Sequence, residues 1–167
     1  AGDMVVSDAK LLLLPVRSLT GNYKWATCPY LLERNKRDAQ RTQYEWMVEG
    51  LQFSGKPEKS TAWSNKGDNV FLEEREFRVS GKIEDTLIDT LKKLIVHRVA
   101  SERLNDQLII LNDDDFQWFA SYGLQISARN VLDIKTKTST NLWYEETLPV
   151  DSVFYYLLFL RKDDLRS

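Results

Sequence analysis

Four consecutive leucines, Leu11 to Leu14, bounded by Lys10 and Pro15, constrain the fold of this chain more than any other segment. The run is far short of the ~20 apolar residues that a membrane-crossing helix needs. It is too apolar for a surface and too short for a typical helix, and it predicts a largely buried strand across residues 9–16. Such a strand needs a core that covers it. With 167 residues, 43% of them hydrophobic, the chain can supply one, so a single domain across 1–167 is expected. Charged residues at 29% and aromatics at 11% exclude a disordered composition.

No positively charged segment leads into an apolar stretch with a small-residue cleavage site, so no signal peptide is expected. Cys28 is the sole cysteine, which excludes an internal disulfide and a multi-cysteine zinc site and fits a reducing, cytoplasmic location. The formal net charge is −2. A nucleic-acid binder with this balance has to gather its positive charge in grooves or on loops.

A turn with Gly21 and Asn22 follows the leucine strand, and Tyr23 to Thr27 reads as a second strand. Pro29 suits the first turn of a helix. Leu32, Ala39 and Trp46 recur at seven-residue spacing and predict that this helix runs to about Glu49. Residues 54–69 lack periodicity and read as a long exposed loop. Val70 to Val79 reads as a strand. Leu87, Leu91, Leu94 and Ile95 mark a second helix ending near Ala100. Leu108–Leu111 reads as a buried strand, and Asn112 as the cap of a short helix with Asp113, Asp114 and Asp115 in its first turn. Leu124 to Lys135 and Leu142 to Leu148 are the arms of a protruding hairpin. Val153 to Leu160 is the last strand. Strands interleaved with two main helices give an α+β fold with antiparallel pairing.

The hairpin over 129–146 carries the sharpest chemistry. Arg129 lies on its rising arm, and its tip presents Lys135, Lys137 and a row of hydroxyls, groups that contact phosphate and sugar oxygens without reading sequence. Trp143 and Tyr144 offer rings on which bases stack. The structural alternative is a solvated hairpin with Trp143 packed in the core. Arg17, at a strand end beside Ser18, suits bidentate phosphate contact. Arg34 and Arg37, with Lys36 and Arg41, either follow a nucleic-acid backbone or form a solvated helix face.

Glu145 and Glu146 are adjacent on a strand and point to opposite faces, so they cannot act as a close acid–base pair. The acidic run at 113–115 suits capping rather than a metal cluster. His97, the lone histidine, is expected to meet the terminal carbonyls of the second helix. Without a second histidine or a nearby nucleophile, no catalytic triad is supported. Cys28 suits packing, and no glycine-rich phosphate loop is present.

Two blocks, Lys10–Gly21 leading into Cys28–Asp38 and Leu142–Pro149 leading into Ser152–Tyr156, together resemble the repeating backbone subunit of the Cmr (type III-B) CRISPR RNA-silencing complex. That subunit is a RAMP protein of the RRM-like superfamily. The segments Gly67–Glu74 and Leu108–Phe116 resemble it as well. The resemblance implies an RRM-like (ferredoxin-like) palm carrying a β-hairpin thumb, incomplete at both ends, and a role in antiviral defence. It implies guide RNA and target RNA as partners, with copies of the chain and other Cmr subunits stacked head to tail. It also implies target cleavage with a divalent metal such as magnesium. The family's catalytic aspartate lies in an opening segment with no counterpart here, and its closing glycine-rich loop is likewise unmatched. Glu145, in the run Trp143-Tyr144-Glu145-Glu146, is the candidate auxiliary catalytic residue. A sheet without its first strand would expose an apolar edge, so a partner supplying the missing segments is expected. Two other readings stay open: a metal-dependent endoribonuclease using Glu145, and a protein–protein scaffold without RNA contact.

Overall fold

A computed structural model describes residues 4–160. In chain order the elements are β1 (Met4–Val6), β2 (Lys10–Ser18), β3 (Gly21–Thr27), α1 (Pro29–Ala39), α2 (Glu45–Gly50), β4 (Thr61–Trp63), β5 (Asn69–Leu72) and β6 (Arg75–Gly81). They continue with α3 (Asp85–Leu94), α4 (Arg98–Gln107), β7 (Leu108–Leu111), α5 (Asp113–Tyr122), β8 (Gln125–Leu132), β9 (Ser139–Thr147), β10 (Val153–Tyr155) and β11 (Leu158–Leu160). The class is mixed α and β, as expected. Among the described residues no helix is long and apolar enough to cross a membrane.

The leucine strand β2 is the hub. It pairs with β3 on one side and β10 on the other, and Ser18 at its end meets Leu72 of β5. That last pairing closes a ring in the order β2-β3-β7-β4-β6-β5. The edge expected to lie open is therefore sealed. Pairing is not uniformly antiparallel either, because β3–β7 and β4–β6 run parallel.

Alternation along the strands divides the core in two. Leu14, Val16, Ala26, Ala62, Val70, Leu72, Phe77, Ile109 and Leu111 pack with Phe116 and Phe119 of α5. Leu12, Leu13, Trp25, Leu108 and Ile110 pack instead with Leu32 of α1, Leu87, Ile88 and Leu91 of α3, and Leu104 of α4. Neighbouring Leu12 and Leu13 share a side, next to the register shift opposite Val153/Phe154. A bulge of this kind turns consecutive side chains the same way.

Several expected elements are cut shorter. The helix from Pro29 stops at Ala39, where Thr42 donates from Oγ1 to the Ala39 carbonyl and accepts from the Tyr44 amide. A hydroxyl that bonds its own backbone competes with the helical ladder. The second helix likewise breaks between Leu94 and Arg98. His97 caps the next helix, its Nδ1 accepting from the Ala100 amide at 3.3 Å, and does not meet the carbonyls ahead of it. The loop read over 54–69 contains β4, buried between β6 and β7. The strand read over 70–79 is two strands joined at Glu73, whose φ of 50° turns the chain. The last strand is split into β10 and β11.

Candidate nucleic-acid interface

Hairpin β8–β9 forms a two-stranded sheet of its own, and its strands are exposed along nearly their whole length. Its turn is built locally. Asp133 accepts from the amides of Lys135 and Thr136 at 2.8 Å each, and Lys137 takes a φ of 59°. Those amide bonds hold the Asp133 carboxyl below its usual range. The Asp-headed turn therefore presents Lys135 and Lys137 outward at the tip, both exposed. Trp143 is 38% exposed and outside the core, so the alternative of a core-packed indole does not hold.

Register separates the hairpin into two faces. Arg129 lies opposite Trp143 and Ser127 opposite Glu145 on one face, with Ala128 opposite Tyr144 on the other. Glu145 accepts from Arg129 Nε at 3.1 Å and from Trp143 Nε1 at 2.9 Å. The indole hydrogen bond, ahead of the guanidinium, keeps its carboxyl below the usual range. Glu145 thus fixes an indole and a guanidinium side by side. Tyr144, 69% exposed, stands on the reverse face.

The palm residues sit elsewhere. Arg17 is exposed at the end of β2, its Nε and Nη2 held by Glu73 Oε2 at 2.9 and 2.8 Å. Ser18 is buried, and its Oγ accepts from the Thr20 amide, so it is not at the surface. Arg34 donates from Nη2 to the Leu11 carbonyl at 2.6 Å and lies over the Tyr30 ring, bracing α1 on β2. Arg37 is exposed on α1. The surface-exposed residues expected to bind RNA therefore fall into three places: the hairpin set, Arg17 near the hairpin root, and Arg37 on α1. Arg34 and Ser18 hold the fold.

The acidic run at 113–115 does more than cap α5. Asn112 Oδ1 accepts from the Asp114 amide, as expected for the cap. Asp113 accepts from the Tyr30 amide at 2.9 Å, satisfying the start of α1. Asp115, 2% exposed, accepts from the Ser60 amide and from Arg75, each at 2.8 Å. Burial pushes the Cys28 thiol up to about 12, so it stays a protonated packing group. Among the described residues no group of three or more His, Cys, Asp or Glu side chains is placed to hold a metal ion. Both Glu145 oxygens are engaged by Arg129 and Trp143. The divalent metal implied by the resemblance finds no such group among the described residues.

An exposed aromatic pair was not foreseen. Trp118 and Tyr122, one helical turn apart on α5, stand beside the hairpin root with ring centroids 6.1 Å apart. Their i,i+4 spacing was the legible signal, lost among the core aromatics Phe116 and Phe119.

No protein-family model matches the chain. It is 30% identical over 168 residues to the CRISPR system Cmr endoribonuclease Cmr4 of Pyrococcus furiosus, covering 96% of this chain and 56% of that protein. The crystal structure of oligomeric Cmr4 from Pyrococcus furiosus superposes with a TM-score of 0.71 at 27% identity, over 98% of this chain and 60% of that one. A chain of the type III-B Cmr-β complex bound to cognate target RNA superposes with a TM-score of 0.74 at 16% identity, over 98% and 59% of the two chains, a likeness of fold. The chain therefore spans 56% to 60% of the length of these relatives, and over that span it is homologous to Cmr4 (Cas7).

Proposed function

We propose that this chain is an RNA-binding backbone unit of a type III-B CRISPR effector, holding guide RNA and spacing the guide–target duplex. Its ring of strands and helices serves as the RRM-like palm, and β8–β9 as the thumb. The observation that carries this reading is the free-standing hairpin, with lysines at the tip and Trp143 and Tyr144 on opposite faces. A solvated structural hairpin has no need for two large rings in water. Backbone contact at the tip and stacking along the arm together grip a polynucleotide without reading its sequence.

Titrating RNA binding against salt tests this directly. Phosphate contacts give a negative log–log slope proportional to their number. Replacing Lys135 and Lys137 together with Ala is expected to reduce that slope by about two units. A flat slope for the unaltered chain would favour a protein–protein scaffold instead.

A further inference from the structure

Among the described residues β8 and β9 pair only with each other, so no ladder of hydrogen bonds ties the hairpin to the ring of strands. Its rising arm follows α5 through Gly123 and Leu124, and Leu124 packs on the core. The falling arm leaves through residues 148–152 and enters β10. Leu148 and Val150 in that linker are 56% and 86% exposed, so apolar burial does not hold it.

Asp151 holds it instead. Its carbonyl accepts from Trp25 Nε1 at 3.0 Å, and its carboxylate accepts from the Tyr23 hydroxyl at 3.3 Å. Both donors belong to β3, and their rings meet edge to face at 5.2 Å. Trp25 is 1% exposed, and a buried indole N–H needs an acceptor. The Pro149 carbonyl accepts from the Ser152 amide and hydroxyl, closing a turn around Asp151. Asp151 takes a φ of 69°, in the left-handed region that residues other than glycine enter at a cost. Aspartate and asparagine tolerate that region best among them. Glycine would suit the backbone but would give Tyr23 no acceptor. A strained residue bonded to one buried strand through both its backbone and its side chain is a fixed point, not a slack connector.

We infer that Asp151 is a positioning residue: pinned to β3, it sets the angle at which the hairpin stands off the palm. The inference rests on the RNA-binding reading above and adds to it the residue that aims the hairpin. An RNA strand that touches palm and hairpin together is one ligand on two sites. Its second contact forms only as readily as the separation of those sites is kept. A preset angle removes the cost of ordering the hairpin at each binding event.

The test uses the 167-residue chain with spin labels at Glu102→Cys on α4 and Asn141→Cys on β9, both exposed positions, while buried Cys28 stays unlabelled. Electron–electron distance measurement reads the hairpin angle, and titration with a tetranucleotide and with a long single-stranded RNA reads its consequence. Asp151 itself is exposed, which favours folding of its variants. Asp151→Val, β-branched and barred from positive φ, is expected to broaden the distance distribution. It should weaken long-RNA binding roughly 10-fold and leave tetranucleotide binding as it was. Asp151→Asn keeps the left-handed turn and an acceptor for Tyr23, and should restore both readouts. Should Asp151→Val fail to fold, Asp151→Ala carries the same readouts in the same direction. An unchanged distance distribution, or a broadened one with long-RNA affinity intact, overturns the positioning role and leaves RNA binding standing. A variant that lowers long-RNA and tetranucleotide affinity alike also overturns it. Absence of any salt-dependent RNA binding by the unaltered chain overturns both readings.

Discussion

Asp115 accepts a hydrogen bond from Arg75 at 2.8 Å, and the same guanidinium lies 4.9 Å over the ring of Trp118. One buried carboxylate thus secures the turn at Ser60, the β5–β6 hairpin and the outer face of α5. Asp115→Ala leaves the Ser60 amide and the guanidinium without their shared acceptor. It is expected to cost about 2–3 kcal/mol, read from the denaturant midpoint. Arg75→Lys keeps the charge but loses the planar stack, and is expected to cost less while loosening Trp118.

Asp38 is 3% exposed and accepts from Lys10 at 2.7 Å and from Tyr155 at 2.8 Å, joining α1, β2 and β10. Burial pushes the Tyr155 phenol up to about 12, helped by the Asp38 carboxylate. The stability this contributes is complete below the ordinary phenol value of 10.0 and is lost as pH rises from there toward about 12. For Asp38, burial opposes ionisation, but the Lys10 and Tyr155 hydrogen bonds outweigh it and hold the carboxyl low. Its contribution is complete above the ordinary carboxylate range and is lost as pH falls through the lowered value. Melting temperature against pH should therefore decline at both extremes, and Tyr155→Phe should flatten the alkaline decline. An unchanged alkaline limb in Tyr155→Phe would contradict this linkage.

Gly50 ends α2 where it meets α3. A Cβ there would overlap Thr90 Oγ1, a buried hydroxyl that donates to the Thr86 carbonyl. Gly50→Ala is expected to destabilise by roughly 1–3 kcal/mol. Adding Thr90→Ala should recover part of that loss, and a double-mutant cycle measures the coupling.

Glu145 holds Arg129 and Trp143 in place but also puts a negative charge on the face proposed to meet RNA. Glu145→Gln keeps an acceptor and removes the charge. RNA affinity is expected to rise roughly two- to fivefold at low salt, with the gain fading as salt screens it. A loss of affinity would show that orienting Arg129 matters more than the repulsion.

Much of the architecture was legible because strong local signals coincided with the tertiary outcome. The leucine run made the central strand, Pro29 opened a helix, Asn112 capped one, and alternating segments either side of a polar tip made the hairpin. What stayed hidden depended on contacts distant in sequence. Thr61–Trp63 is too short to show a period and is a strand only because β6 and β7 flank it. The closing contact between Ser18 and Leu72 leaves no trace in either segment. The break after Ala39 turns on the single hydroxyl of Thr42, set against an apolar spacing that continues to Trp46. At the site, residue types were readable but their engagement was not. Arg17 and Glu73 are 56 positions apart, and nothing local signals that they pair.

The lysine-tipped hairpin as the RNA-engaging element is tested most directly by ultraviolet cross-linking of the chain to RNA, with the adducts mapped by peptide mass. Adducts are expected at Trp143 and Tyr144, and they should fall sharply when Lys135 and Lys137 are both replaced by Ala. Adducts confined to helices α3 and α4, with the hairpin unlabelled and indifferent to the lysine changes, would contradict it.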